Sequence, residues 1–242
     1  MDAAIRFLLD PASWSGSDGL GAQLTQQLLL TVTAMVLAGA LGLPLALWLG
    51  HVGRGGALAV NVSNAGRAVP TFAVLVLLSV GPLGTGVLGP YGRAGLATLV
   101  SLVLFALPPI ITNAYVGVRE VDREVVEAAT GMGMRGTELF ARVELPLALP
   151  LVLTGVRLAL VQVWATATIA ALVAGPGLGN TIQLGFSNQD VARVLGGGIL
   201  VAGVALLLEG ALAVIERLSD PVSRARSRTG VKSAPPVAQP AA

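Results

Sequence analysis

Residues 24–49 read LTQQLLLTVTAMVLAGALGLPLALWL, an unbroken run with no charged side chain. An α-helix needs about 20 apolar residues to cross the ~30 Å hydrocarbon core of a bilayer, and this run exceeds that. Its apolar residues are continuous rather than alternating with period two, which disfavours a strand of a membrane barrel. The same signal returns at about 58–83, 94–118, 147–174 and 194–218. The expected fold is therefore all-α, a polytopic integral membrane protein with about five transmembrane helices.

Composition agrees. The 242-residue chain is 54% hydrophobic and 12% charged, whereas soluble domains carry roughly 25% charged residues. The net charge of +2 matters less than where the cations fall. Five segments put Arg54, Arg119, Arg123, Arg135, Arg142, Arg217, Arg224, Arg226, Arg228 and Lys232 on one side, against Arg6, Arg93 and Arg193 on the other. Lys and Arg accumulate in cytoplasmic loops, so the N-terminus is expected outside and the C-terminus in the cytoplasm of a bacterial-type cell membrane. Residues 1–20 lack a basic start and a long apolar core, unlike a cleavable signal peptide. They are expected as an extracytoplasmic segment. Residues 221–242 are basic, then rich in Pro and Ala, and read as a disordered tail.

One charged island, 119–146, separates the third and fourth apolar segments. Val118, Val121, Val125, Ala129 and Met132 recur at helical spacing, predicting an amphipathic helix. Gly131, Gly133 and Gly136 then predict a corner, since glycine accepts left-handed backbone. Thr137 is the expected N-cap of a second short helix carrying Leu139, Phe140 and Val143, and Pro146 suits the first turn of the next membrane helix.

Within the island, Glu127-Ala128-Ala129 is followed after three residues by Gly133, and after nine more by Val143, with Leu145-Pro146 closing the pattern. This resembles the signature loop of permease subunits of binding-protein-dependent ABC importers. Softer likenesses at Arg67–Pro70, Leu107–Asn113, Gly155–Arg157 and Ala174–Asn180 resemble the osmoprotectant branch, which moves glycine betaine, choline, carnitine or proline-like solutes. The likeness covers the membrane region, 21–220, and leaves out the first twenty residues and the tail. The resemblance implies a permease domain whose loop docks on a separate ATPase subunit through Glu127, Ala128, Ala129, Gly133, Val143, Leu145 and Pro146. It also implies an extracytoplasmic solute-binding protein and a second permease, either self or a paralogue. ATP and magnesium would belong to the ATPase, with no cofactor on this chain. A permease for an amino acid or another small solute is the alternative. A membrane enzyme or a structural anchor is the contrasting class.

Polar groups within membrane segments are costly and mark functional candidates. Asn64, Arg67, Pro70, Thr71, Pro108, Asn113, Arg157, Gln162 and Thr166 are the candidates for a translocation pathway, with interhelical hydrogen bonding as their ordinary alternative. Arg157 and Arg67 have the reach to snorkel toward the cytoplasmic face.

Other patterns carry less. Gly131 to Gly136 spells GxGxxG, but a dinucleotide site needs a preceding strand in a βαβ unit, and here an apolar helix precedes it. No run has the Gly-Lys-Ser/Thr of a phosphate-binding loop. His51 is the only histidine and there is no cysteine, so neither a metal site nor a nucleophilic triad is expected, and no nucleic-acid partner is. Ten aromatic residues without a local cluster offer no cage for a quaternary ammonium. Selectivity is expected in the external receptor.

Overall fold

The computed structural model describes residues 1–53, 61, 66 and 69–219. Two short helices open the chain, α1 (Asp2–Leu9) and α2 (Pro11–Trp14), before the long α3 (Leu20–Val52). Then come α4 (Thr71–Val80), α5 (Gly95–Arg119), α6 (Arg123–Gly131) and α7 (Gly136–Leu139). A π-helical stretch, Phe140–Glu144, leads into α8 (Leu145–Ile169). The last elements are α9 (Gly179–Ser187) and α10 (Val191–Ser219).

Among the described residues, four apolar helical runs are long enough to cross a membrane: Leu20–Val52, Gly95–Arg119, Gly136–Val173 and Val191–Leu218. They occupy four of the five expected segments. In the second, α4 supplies an apolar helix of 10 residues; most of 54–68, including Asn64 and Arg67, lies outside the described residues. So does the tail beyond Ser219. The extracytoplasmic segment expected at 1–20 contains α1 and α2. Ala4 of α1 is buried, and α1 packs on α10.

The core is built around α5, which packs against both α3 and α8. On α3 the buried positions Leu30, Ala34, Ala38, Gly42, Ala46 and Gly50 recur every fourth residue, a stripe that winds around the helix because each step advances about 40° past a full turn. Lipid tails are as apolar as leucine, so membrane helices gain by close approach, and small residues permit it. The approach is tight: a Cβ on Gly42 would lie 3.2 Å from Leu107, and one on Gly50 would lie 2.8 Å from Val118 Cβ. On the other side of α5, a Cβ on Gly117 would meet the Ala148 carbonyl at 3.1 Å. Leu30, Ala34, Leu99, Leu102, Ile110 and Val163 belong to one apolar cluster.

At the end of the bundle away from the charged island, two glutamines of α3 hold the turn before α9. Gln27 is fully buried and accepts from the Leu178 N–H at 2.8 Å while donating to Thr168 Oγ1 at 2.9 Å. Gln23 accepts from Thr181 Oγ1 at 2.8 Å. Gly177, at φ +117°, lets this turn pass the Gln27 side chain.

Candidate functional site

The charged island folds as two short helices at a glycine corner, as its spacing predicts, with differences in detail. Asp122 caps α6 by accepting from the Glu124 N–H at 2.9 Å. The helix closes with Gly133 N–H bonded to Thr130 O and Met134 N–H bonded to Ala129 O. That pairing is a Schellman ending, which needs a left-handed residue after the cap; Gly133 fills it at φ +89°. Gly131 is the last residue of α6 and Gly136 the first of α7, so the corner rests on Gly133 alone. Thr137 is not the cap of α7. The helix starts one residue earlier, Arg135 holds the cap position, and no side chain bonds there.

The predicted apolar stripe divides. Val118 and Ala129 are buried, whereas Val125 is 43% and Met132 74% exposed. Glu127, Ala128 and Gly133 are exposed as well. The two alanines therefore have different tasks: Ala129 faces its own chain and Ala128 faces out. The outer surface of the loop combines a carboxylate, small residues and a protruding thioether. Val143, Leu145 and Pro146 are half-buried at the base, where the loop meets the bundle. The seven signature positions thus fall into an exposed tip (Glu127, Ala128, Gly133), a buried support (Ala129) and a base.

Sequence reading missed the pairing at that base. Glu144 is only 7% exposed, and its Oε2 accepts from His51 Nδ1–H at 2.5 Å. His51 lies in the last turn of α3, edge-on to Phe140 with ring centroids 5.4 Å apart. The signal was a carboxylate at an unspecified position of the pattern, invisible without the third dimension.

The membrane-segment candidates do not converge on one cavity among the described residues. Asn113 donates to the Pro109 carbonyl at 2.8 Å, within its own helix. Pro108 is buried and borders an apolar hollow of about 300 Å³ with Val74, Leu104 and Ile111. Pro70 sits at the N-cap of α4 and Thr71 opens that helix. Thr166 is buried and Gln162 half-buried on α8. Arg157 has a specific environment. It donates from Nε to Glu209 at 2.8 Å and from Nη1 to Glu216 at 3.2 Å. Its Nη2 also bonds Glu209, and Thr154 donates to Glu216 at 2.9 Å. Glu209 and Glu216 were missed as partners. Their spacing of two turns on α10 places both on one face, and that was the available clue.

A roomier polar hollow, about 560 Å³, opens at the opposite end between Asp18, Gln26, Asn180, Gln183 and Ser187. Among the described residues no group of three or more His, Cys, Asp or Glu is placed to hold a metal ion.

Residues 38–220 match the family of binding-protein-dependent transport system inner membrane components. The chain is 30% identical over 230 residues to the carnitine transport permease protein OpuCB of Listeria monocytogenes, a match covering 95% of this chain and 99% of the relative. It is 29% identical over 196 residues to the glycine betaine/carnitine/choline transport system permease protein OpuCB of Bacillus subtilis (strain 168), covering 81% and 86%. With the glycine betaine/proline betaine transport system permease protein ProW of Escherichia coli (strain K12) it shares 28% over 214 residues, 88% of this chain and 56% of that one. A chain of the MetNI methionine ABC transporter in an inward-facing conformation superposes with TM-score 0.68 at 22% identity, covering 81% of this chain and 93% of that chain, and shares the fold. The Listeria match extends beyond 21–220, so likeness to these proteins reaches into the end segments as well.

Proposed function

Because the chain belongs to the family of binding-protein-dependent transport system inner membrane components, we propose that it is the permease that passes a betaine- or choline-type osmoprotectant inward, driven by a separate ATPase. It is a multi-pass transporter subunit. The solute class rests on the relatives, whose names specify carnitine, choline and glycine betaine. In this reading residues 21–220 form the permease domain. The N-terminus lies outside, and the loop 119–146 lies in the cytoplasm, as the distribution of Lys and Arg requires.

One observation carries the assignment of the loop. Its tip leaves Glu127, Ala128, Met132 and Gly133 exposed, while Ala129 and the base tie it to the bundle. A tip that is exposed and partly apolar suits a groove on the ATPase. There Gly133 would allow close approach and Glu127 would supply a charge. ATP and magnesium are bound by that partner. A solute receptor on the outer side delivers the cargo, and a second permease, self or paralogous, completes the path.

The docking test is co-purification. Glu127→Lys and Gly133→Asp chains should insert normally but retain much less ATPase; full retention by both refutes the assignment. The substrate test is uptake of labelled glycine betaine, choline, carnitine and amino acids into a deletion strain carrying this system. Uptake of an amino acid without any betaine or choline would favour the alternative permease class.

A further inference from the structure

The contact between His51 and Glu144 joins two parts of the molecule that the family pattern does not connect. Glu144 ends the π-helical stretch at the base of the loop. Its carboxylate is largely removed from water, and such a group is tolerated only when paired. The partner is His51 Nδ1–H, 2.5 Å away.

Two residues of the loop lie against His51. Phe140 packs edge-on against the imidazole, with the rings inclined at 62°. Gly136, opening α7, approaches so that a Cβ there would lie 3.6 Å from His51 Nε2. One residue earlier, Gly50 presses on Val118 in the final turns of α5. The end of α3 is thus clamped to α5 and hydrogen-bonded to the loop at one place.

We propose that His51 is a positioning residue that links the ATPase-docking loop to the first membrane helix, so that displacement of the loop moves α3 with it. This rests on the reading of Glu127–Gly133 as the docking tip. Apolar packing holds α3 to its neighbours but is non-directional. A charge-assisted hydrogen bond is directional and short, so the His51–Glu144 pair transmits both strokes of a cycle. Without it, the loop would drive α8, to which it is covalently continuous, and α3 would follow only through packing.

The test uses the complete transporter, with ATPase and receptor, reconstituted in lipid vesicles. His51→Phe keeps a ring against Phe140 and removes the donor. His51→Asn loses the ring and keeps an amide donor near the Nδ1 position. The readout is the factor by which solute-loaded receptor stimulates ATP hydrolysis, measured beside co-purification and thermal stability. We expect His51→Phe to assemble and lose at least about five-fold of the stimulation, the low end of ordinary coupling energies, and His51→Asn to retain most of it. Full stimulation in His51→Phe overturns the proposal. So does an equal loss in both variants that tracks thermal stability, since that marks a purely structural contact. Glu127→Lys in the same assay separates the two readings. If it keeps its ATPase, the docking assignment fails; if it loses the ATPase while His51→Phe stays fully stimulated, only the link fails.

Discussion

Gly155 of α8 lies so close to Asn113 of α5 that a Cβ at position 155 would stand 2.7 Å from the Asn113 Cβ and 2.9 Å from the Pro109 carbonyl. The crossing also explains why Asn113 turns back to its own helix. Its amide donates to the Pro109 carbonyl, one turn beyond the Leu104 and Phe105 carbonyls, whose partners four residues on are prolines without an N–H. Gly155→Ala must push α5 and α8 apart. Overpacking of a tight interior costs about 1–3 kcal/mol, so thermal unfolding in detergent should shift down. A neutral result would mean that the crossing is looser than these distances.

Gly133→Ala tests the corner itself. At φ +89° an L-residue is strained, and left-handed backbone costs roughly 1–2 kcal/mol per residue. The open space around Gly133 means that the whole effect is conformational. The expected outcome is a locally frayed loop, seen as faster amide exchange over 129–135, with the membrane bundle unchanged.

Gln27→Leu removes both ends of a buried bridge. The Leu178 N–H loses its acceptor and Thr168 its donor. Leaving buried polar groups unpaired costs about 1–3 kcal/mol. Proteolysis in the 174–190 turn should quicken before the bundle melts, because that turn is what the glutamine holds.

Arg157→Met leaves Glu209 and Glu216 facing one another without their shared cation. Removing one partner of an ion cluster is worse than removing the set. The double variant Arg157→Met/Glu209→Gln should therefore melt higher than Arg157→Met alone, a non-additivity expected of groups in one network. Additive melting shifts would show that the three side chains act independently.

Much of this fold was legible in the sequence because a bilayer allows so few solutions. Long apolar runs have to become helices, and four of them did. The island's corner was legible for a different reason: Gly133 marks it by chemistry that acts within a few residues, whereas the Asp122 cap was not foreseen. Sequence reading failed where contact depends on helix rotation. His51 and Glu144 are 93 positions apart, and only packing brings them together. The α9 helix was missed because its apolar content is interrupted by Asn180, Thr181 and Gln183; the partners of Asn180 and Thr181 lie in the preceding turn and on the distant α3. Arg157 was singled out as costly. Its remedy, two glutamates on another helix, lay outside any local window.

The wide turn at Phe140–Glu144 sets a rule for insertions and deletions. Removing one residue from α7 while this wide turn persists would rotate everything upstream by about 100° relative to α8. Glu127 would then point along a different compass bearing, with every side chain still present. The nine-residue interval from Gly133 to Val143 thus acts as an angular setting. Substitutions within it should be tolerated far better than a change in its length.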